Sequence, residues 1–363
     1  MKCGKWLLIL ELLFVALALA CSSRPSDSRA EVAKTSSNPN QIVGAGSTYV
    51  YPVMGKWIEG FQKQRNGVQV YYQSVGSGKG ILQLKNGLID FGASDAALDD
   101  VALNNSVPML QIPESAGPVC ITYNLPTLKQ PLKLTPEALT GIFLGTVKTW
   151  QAPEITKSNP GVTFPGTAIA VAHRKEESGT TNIFTTYLSA VSPEWKQKVG
   201  TGTKVEWPTG LAAKGTEGVI GIVAETPGAI GYVELTYAVS NHLPIAEVQN
   251  AAGKFIGPSA ESVSAAILAN ARKIAEDVRT PIVNPPASAP NAYPISGFTF
   301  LLVPADGANA AKREVLKHFI QYVVSGDGQQ MASTLHYAPL PQSVIEQDQK
   351  LLDRMTANGK PLQ

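Results

Sequence analysis

The apolar positions of this chain switch repeatedly between a period of two and a helical period. Residues 41–46 (QIVGAG) read as a strand that ends in small residues. Met54, Trp57, Ile58 and Phe61 then fall at i, i+3, i+4 and i+7, one face of an amphipathic helix. Residues 68–72 (VQVYY) return to alternation, 81–88 read as a helix, and 89–95 (IDFGASD) as a short strand running into a loop. Thr135 before Pro136 has the form of a helix start, with threonine as the cap and proline at the first helical position. Residues 167–172 (TAIAVA) predict a buried strand leading through a loop into a helix that runs to Ala190, and residues 228–234 a strand bounded by glycine. Beyond a proline-rich passage at 284–293, residues 298–303 predict a strand. Val315, Phe319, Tyr322 and Val323 give a last helix its apolar face. Strands alternating with helices predict an α/β fold, in which ligands sit at strand C-termini and helix N-termini.

Two extended stretches, 119–124 and 295–300, lie on either side of the middle section. If both cross between two lobes, the chain enters the second lobe once and returns once, which makes a hinged cleft that can close on a ligand. Periodicity taken alone supports a single α/β domain nearly as well. The body shows no internal repeat.

Composition narrows the classes. The 363 residues are 44% hydrophobic and 16% charged, which describes a packed globular protein of one large or two medium domains. With 30 basic against 28 acidic residues the net charge is +2, too balanced to grip nucleic acid by counterion release. Any anion site must be local.

Residues 1–5 are short and basic, and residues 6–20 form a hydrophobic run, with Glu11 inside it, that ends at Ala18-Leu19-Ala20 before Cys21. That pattern predicts an export signal over residues 1–20, too short and too soon followed by polar sequence to span a membrane. Cys21 directly after a small residue resembles a lipoprotein box, so lipidation at Cys21 is expected, although Ala18-x-Ala20 also suits ordinary signal-peptidase cleavage. Residues 22–40, rich in Ser, Pro and charge, then read as a flexible tether that holds the body off a membrane. Cys120 lies in an apolar strand and is expected to be a buried, inert thiol.

The stretch 74–80 (SVGSGKG) between a strand and a helix raises the question of a nucleotide-binding loop. The P-loop pattern G-x-x-x-x-G-K-[ST] fails twice, with Gln73 at the first glycine position and Gly80 at the hydroxyl position. Small residues at a helix N-terminus still let backbone N–H groups approach an anion. Three more loop clusters carry similar chemistry: 44–49 (GAGSTY), 92–95 (GASD) and 174–180 (RKEESGT). Together they offer hydroxyls, accessible N–H groups, an arginine suited to oxyanions, and carboxylates. Each has a plainer reading. Ser178 and Thr180 could merely cap a helix, Arg174 could form a surface ion pair, and Asp95 could satisfy its own turn. His173 is expected to be solvated. His242, His318 and His336 are scattered without metal-ligand spacing.

In this order and at these separations, the four clusters closely resemble the phosphate-binding protein family of high-affinity phosphate ABC importers. The resemblance covers essentially all of residues 41–363, including 140–145 (TGIFLG), 195–202 (WKQKVGTG), 228–234 (GAIGYVE) and 337–340 (YAPL). It implies a two-lobe periplasmic-binding-protein-like fold of type II, with residues 41–118 and 296–363 as lobe I and 119–295 as lobe II. Phosphate would be locked between the lobes and released to a membrane permease driven by a separate ATPase. By motif, the resemblance makes Thr48, the backbone of Tyr49, Ser77, Asp95, Arg174, Ser178, Gly179 and Thr180 the phosphate contacts. It implies no cofactor and no metal. Tyr49 stands where the family usually has Phe, Lys79 where it usually has Gly, and Glu176 where some members carry Asp. The last substitution leaves open which group pairs with Arg174.

A secreted phosphoesterase using Ser77 or Ser178 as nucleophile is the rival enzyme. It needs a base within reach and commonly a G-x-S-x-G frame, which neither serine has. An accessory phosphate-binding or adhesion role is a third possibility.

Overall fold

The computed structural model describes residues 37–105 and 107–362. The expected export signal, Cys21 and most of the tether lie outside the described residues. Eight strands make the main sheet: β1 Gln41–Gly46, β2 Gln69–Ser74, β3 Phe91–Ser94, β4 Met109–Tyr123, β5 Ala170–Arg174, β6 Leu211–Ala213, β7 Ala229–Glu234 and β8 Ser296–Pro304. Their spatial order is β2-β1-β3-β8-β4-β7-β5-β6. β1 runs parallel to β2 and β3, and β5 parallel to β6 and β7. Between these two parallel groups, β8 and β4 are antiparallel to their neighbours.

β4 links the two groups. It is 15 residues long and buried throughout. Met109–Pro118 pairs with β8, and Val119–Tyr123 pairs with β7. The two long strands run side by side, and Val119 N–H donates to Ile295 O at 2.8 Å. The fold is therefore α/β with two lobes and two strands crossing between them. Sequence periodicity found only the second half of β4. Pro113, Pro118 and Glu114 disguise the first half, since prolines and a charge argue against a central strand. The ladder accommodates them by a register shift: Thr299 faces Ser115 while Phe300 faces Pro113, so Glu114 is an extra, bulged residue.

Helices pack on these strands as the apolar stripes require. Tyr51–Gln64 buries Val53, Met54, Trp57 and Phe61, and Trp57 Nε1 donates to Gly328 O at 2.8 Å. The Phe61 ring meets Phe319 edge-on at 5.3 Å, on the helix Ala310–Val323. That helix is not the last one. Gly326–Thr334 and Gln342–Leu352 follow it, with three buried residues each. Their apolar stripes are too thin to stand out in the sequence. Cys120 is buried among Ala172, Val219 and Val233, and burial pushes its thiol up.

Candidate functional site

The site is assembled where parallel strands end and helices begin. β1 delivers Ser47, Thr48 and Tyr49 to the start of Tyr51–Gln64. β2 delivers Ser77 to the helix Ser77–Lys85 through Gly76, whose φ of +91° is a conformation glycine adopts readily. Asp95 follows β3. β5 ends on Arg174 and leads to the helix Gly179–Val191, and β6 leads to Gly215–Glu225 with Thr216 in its first turn.

These four helix starts meet. Thr48 Oγ1 lies 3.0 Å from Thr216 Oγ1, Gly179 N–H donates to Ser77 Oγ at 3.2 Å, and Arg174 Nη1 donates to Thr216 Oγ1 at 3.3 Å. Each helix start carries partial positive charge and unpaired N–H groups, so their convergence favours an anion.

Arg174 is not a surface ion pair, because its side chain is only 2% exposed. Its Nε donates to Glu176 Oε1 at 2.7 Å, its Nη2 bonds the same oxygen, and the Gly215 N–H donates there too, at 3.1 Å. Glu176 thus orients the guanidinium, answering the question left open by the sequence.

Asp95 is the site's carboxylate. Its Oδ1 accepts from Ser47 Oγ at 2.5 Å and from Thr299 Oγ1 at 3.1 Å. Its Oδ2 lies against Gly179, where a β-carbon would stand 2.6 Å from it. Burial pushes its carboxyl up to about 6, and the Ser47 and Thr299 bonds and the Arg174 charge restrain the rise.

The other residues named from the sequence are placed as follows. Ser77 Oγ accepts from the N–H groups of Gly179 and Asp95, so its own hydrogen remains to be donated. Ser178 caps its helix by accepting from Thr181 N–H at 3.2 Å, and its own N–H goes to Thr203 O. The Thr180 hydroxyl is buried, close enough to Asp95 to favour its charged form, and meets no partner at hydrogen-bonding geometry. Tyr49 is buried behind the loop, where its N–H donates to Ser47 Oγ and its carbonyl accepts from Tyr337 at 2.6 Å. Lys79 is exposed.

His173 departs from expectation. It is buried and stacks on Trp207 at 4.9 Å, with its Nδ1 3.1 Å from Arg174 O. It lies within β5, where neighbouring elements cover it, which a lone polar letter does not reveal. Among the described residues, no group of three or more His, Cys, Asp or Glu forms a potential metal site. Sequence reasoning missed Ser47, Thr216, Thr299 and Glu114. Ser47 stood inside a cluster already singled out, whereas Thr216, within residues 214–218 (KGTEG), and Thr299, between two phenylalanines, carried no mark that singled them out.

A profile of the PBP superfamily domain matches residues 33–327. The phosphate-binding protein PstS of Xylella fastidiosa (strain Temecula1) is 41% identical over 308 residues, covering 85% of this chain and 83% of that protein. The PstS of Pasteurella multocida (strain Pm70) is 40% identical over 327 residues, 88% of this chain and 93% of that protein. In fold, the chain is similar to the solved structure of a high affinity periplasmic phosphate-binding protein, PfluDING, bound with phosphate. The TM-score is 0.67 at 23% identity, over 85% of this chain and 93% of that one. Matches of this length, on a fold whose strand ends and helix starts converge as described, identify the family: the chain belongs to the PBP superfamily and, within it, to the PstS phosphate-binding proteins.

Proposed function

We propose that this chain binds inorganic phosphate outside the cytoplasm, between a lobe of residues 41–118 with 296–363 and a lobe of residues 119–295, and delivers it to the permease of an ABC importer. One observation carries the reading. A buried arginine and a buried carboxylate flank the meeting point of four helix starts, so attraction for an oxyanion is combined with an acceptor for a proton on that oxyanion. Phosphate at neutral pH carries such a proton and sulfate does not. Arg174, Ser77, the Ser178 and Thr180 hydroxyls and the helix-start N–H groups donate to the ligand, Thr48 and the backbone of Tyr49 contact it from the first loop, and Asp95 Oδ2 accepts its O–H.

The same geometry disfavours hydrolysis. Ser77 Oγ is held by two amide N–H groups, Ser178 Oγ caps a helix, and the nearby imidazole, His173, is packed on Trp207. Neither hydroxyl has a general base in contact. Similar solved structures described as a putative phosphate ABC transporter substrate-binding protein and an ABC-type phosphate transport receptor favour delivery over an accessory role.

Calorimetry with phosphate, arsenate and sulfate tests the binding reading, with tight phosphate binding and no sulfate binding expected. Equal affinity for sulfate refutes it. Deletion that leaves phosphate uptake unchanged refutes the delivery role. We also propose that Cys21 is lipidated and anchors the tethered body to the membrane.

A further inference from the structure

Behind Asp95 stands a second buried carboxyl. Thr299 Oγ1 lies 3.1 Å from Asp95 Oδ1 and 3.0 Å from Glu114 Oε1. A hydroxyl owns one hydrogen, so it can donate to only one of these carboxyls. The other must bring a proton of its own, or remain a buried anion facing a lone pair, which is costly.

The surroundings decide which carboxyl holds the proton. Asp95 receives the Ser47 hydroxyl and lies in the field of Arg174. Glu114 is fully buried, touches no cation, and its Oε2 has no partner. The titratable groups in its field are Asp95, from the end of β3, and Tyr72, from β2. Burial pushes Glu114 up to about 8, with the Asp95 charge adding to the rise. Its place on the strand has a structural cause. Glu114 is the bulged residue of β4, and a bulge beside a site re-aims a side chain that a regular ladder would send elsewhere.

We propose that Glu114 is a positioning residue of the anion site: as a neutral acid it donates to Thr299 Oγ1 and so turns the Thr299 hydrogen onto Asp95 Oδ1. With Ser47 and Thr299 both donating, Oδ1 is saturated, and Oδ2 is the acceptor left for the ligand's O–H. This inference rests on the phosphate reading. It adds that acceptor strength at Asp95 is set by a proton two groups away. Once Glu114 ionises, the single Thr299 hydrogen is contested and a second negative charge faces Asp95. Phosphate affinity then falls.

Calorimetric titration of phosphate from neutral pH to well above about 8 on the wild-type chain, Glu114→Gln and Thr299→Val is the test. An uncharged Gln amide donates to Thr299 Oγ1 at every pH. Wild-type affinity should fall by roughly tenfold for each pH unit above the ionisation of Glu114, as one-proton linkage requires. Glu114→Gln should lose that slope and Thr299→Val should keep only the part due to the Glu114 charge, each apart from phosphate's own titration, which all three proteins share. Wild-type-minus-Glu114→Gln infrared spectra at neutral pH should show one buried carboxylic-acid carbonyl band, that of Glu114, which Thr299→Val retains, while the bands of the other buried acids Glu234 and Asp348 cancel. Phosphate binding with the wild-type slope retained in either variant overturns the inference alone, as does the absence of the Glu114 band. If the wild type binds no phosphate at any pH, the phosphate reading falls and this inference with it. If Glu114→Gln does not fold, Thr299→Val decides the question.

Discussion

Gly179 begins its helix against Asp95 so closely that a β-carbon there would stand 2.6 Å from the Asp95 Cβ and 2.7 Å from its backbone N. Non-bonded carbons settle at about 3.5–4.0 Å, so Gly179→Ala should hold the two lobes about 1 Å short of the observed closure. Asp95 Oδ2 could rotate away, but the Asp95 backbone nitrogen and β-carbon also stand in the way and no side-chain rotation removes them. Separation weakens the Gly179 N–H bond to Ser77 Oγ, now 3.2 Å, and the Thr48–Thr216 contact, now 3.0 Å. Inserting a methyl group into a packed contact typically costs about 1–3 kcal/mol, which as a loss of coupling is roughly 5- to 150-fold in affinity. On the proposed lobe bounds the clash lies between lobes, so the cost is expected to fall on closure and not on folding. Calorimetry should therefore show weakened phosphate binding, while the melting temperature without phosphate stays close to wild type. Small-angle scattering should show less compaction on adding phosphate. Gly55→Ala, at an exposed helix position with nothing within 4 Å of its added carbon, is the control and should bind normally. Wild-type affinity and full compaction in Gly179→Ala would refute the reasoning, because the closed contact could not then be the bound geometry.

Further outcomes are expected. Asp95→Asn should admit sulfate more than it weakens phosphate, since sites that use a ligand O–H reject analogues lacking it by roughly 10⁴–10⁵-fold; competition calorimetry showing undiminished sulfate exclusion would remove Asp95 as the selector. Asp348 is fully buried on the helix Gln342–Leu352, neither oxygen has a partner, and burial pushes its carboxyl up to about 8. The folded state thus keeps a proton that the unfolded state loses, so stability falls as pH rises from about 3.8 to about 8. Asp348→Asn should flatten urea-denaturation stability across that window relative to wild type, and parallel slopes would refute the assignment. Cys21→Ser should release the protein from membranes, whereas an unmodified residue 21 in wild-type mass spectra would exclude lipidation.

Much of this arrangement was legible because strand-to-helix loops leave strong marks. Small residues, a capping hydroxyl and the next apolar stripe located residues 44–49, 92–95 and 174–180 without any coordinates. Residues 74–80 by themselves favoured a tight turn without a ligand, and Ser77 entered only through the family resemblance. Contacts made across the fold were not. Glu114 and Thr299 are 185 positions apart, and their meeting depends on a bulge inside a strand that prolines conceal. Thr216 pairs with Thr48 across 168 positions. The partner of Arg174 was two residues away in Glu176, yet no spacing rule required that carboxylate to fold back. Local chemistry is written locally, while the second layer of the site is a product of topology.

The placement of β8 has a consequence for how the chain folds. β8 separates β3 from β4 in the sheet, and the partners it joins lie far upstream. Residues 119–295 contain β5, β6, β7 and the second half of β4, so that group can pair from within its own segment. The other group stays an open three-stranded edge until residue 304 has been made. Late, long-range pairing of this kind slows folding. A chain cut before β8 should leave residues 41–118 open to protease while 119–295 resists it. Protection of both segments would show that the first group closes without β8. A polypeptide that cannot complete its first parallel group until β8 arrives stays threadable for most of its synthesis, a property suited to passing through a membrane pore before folding.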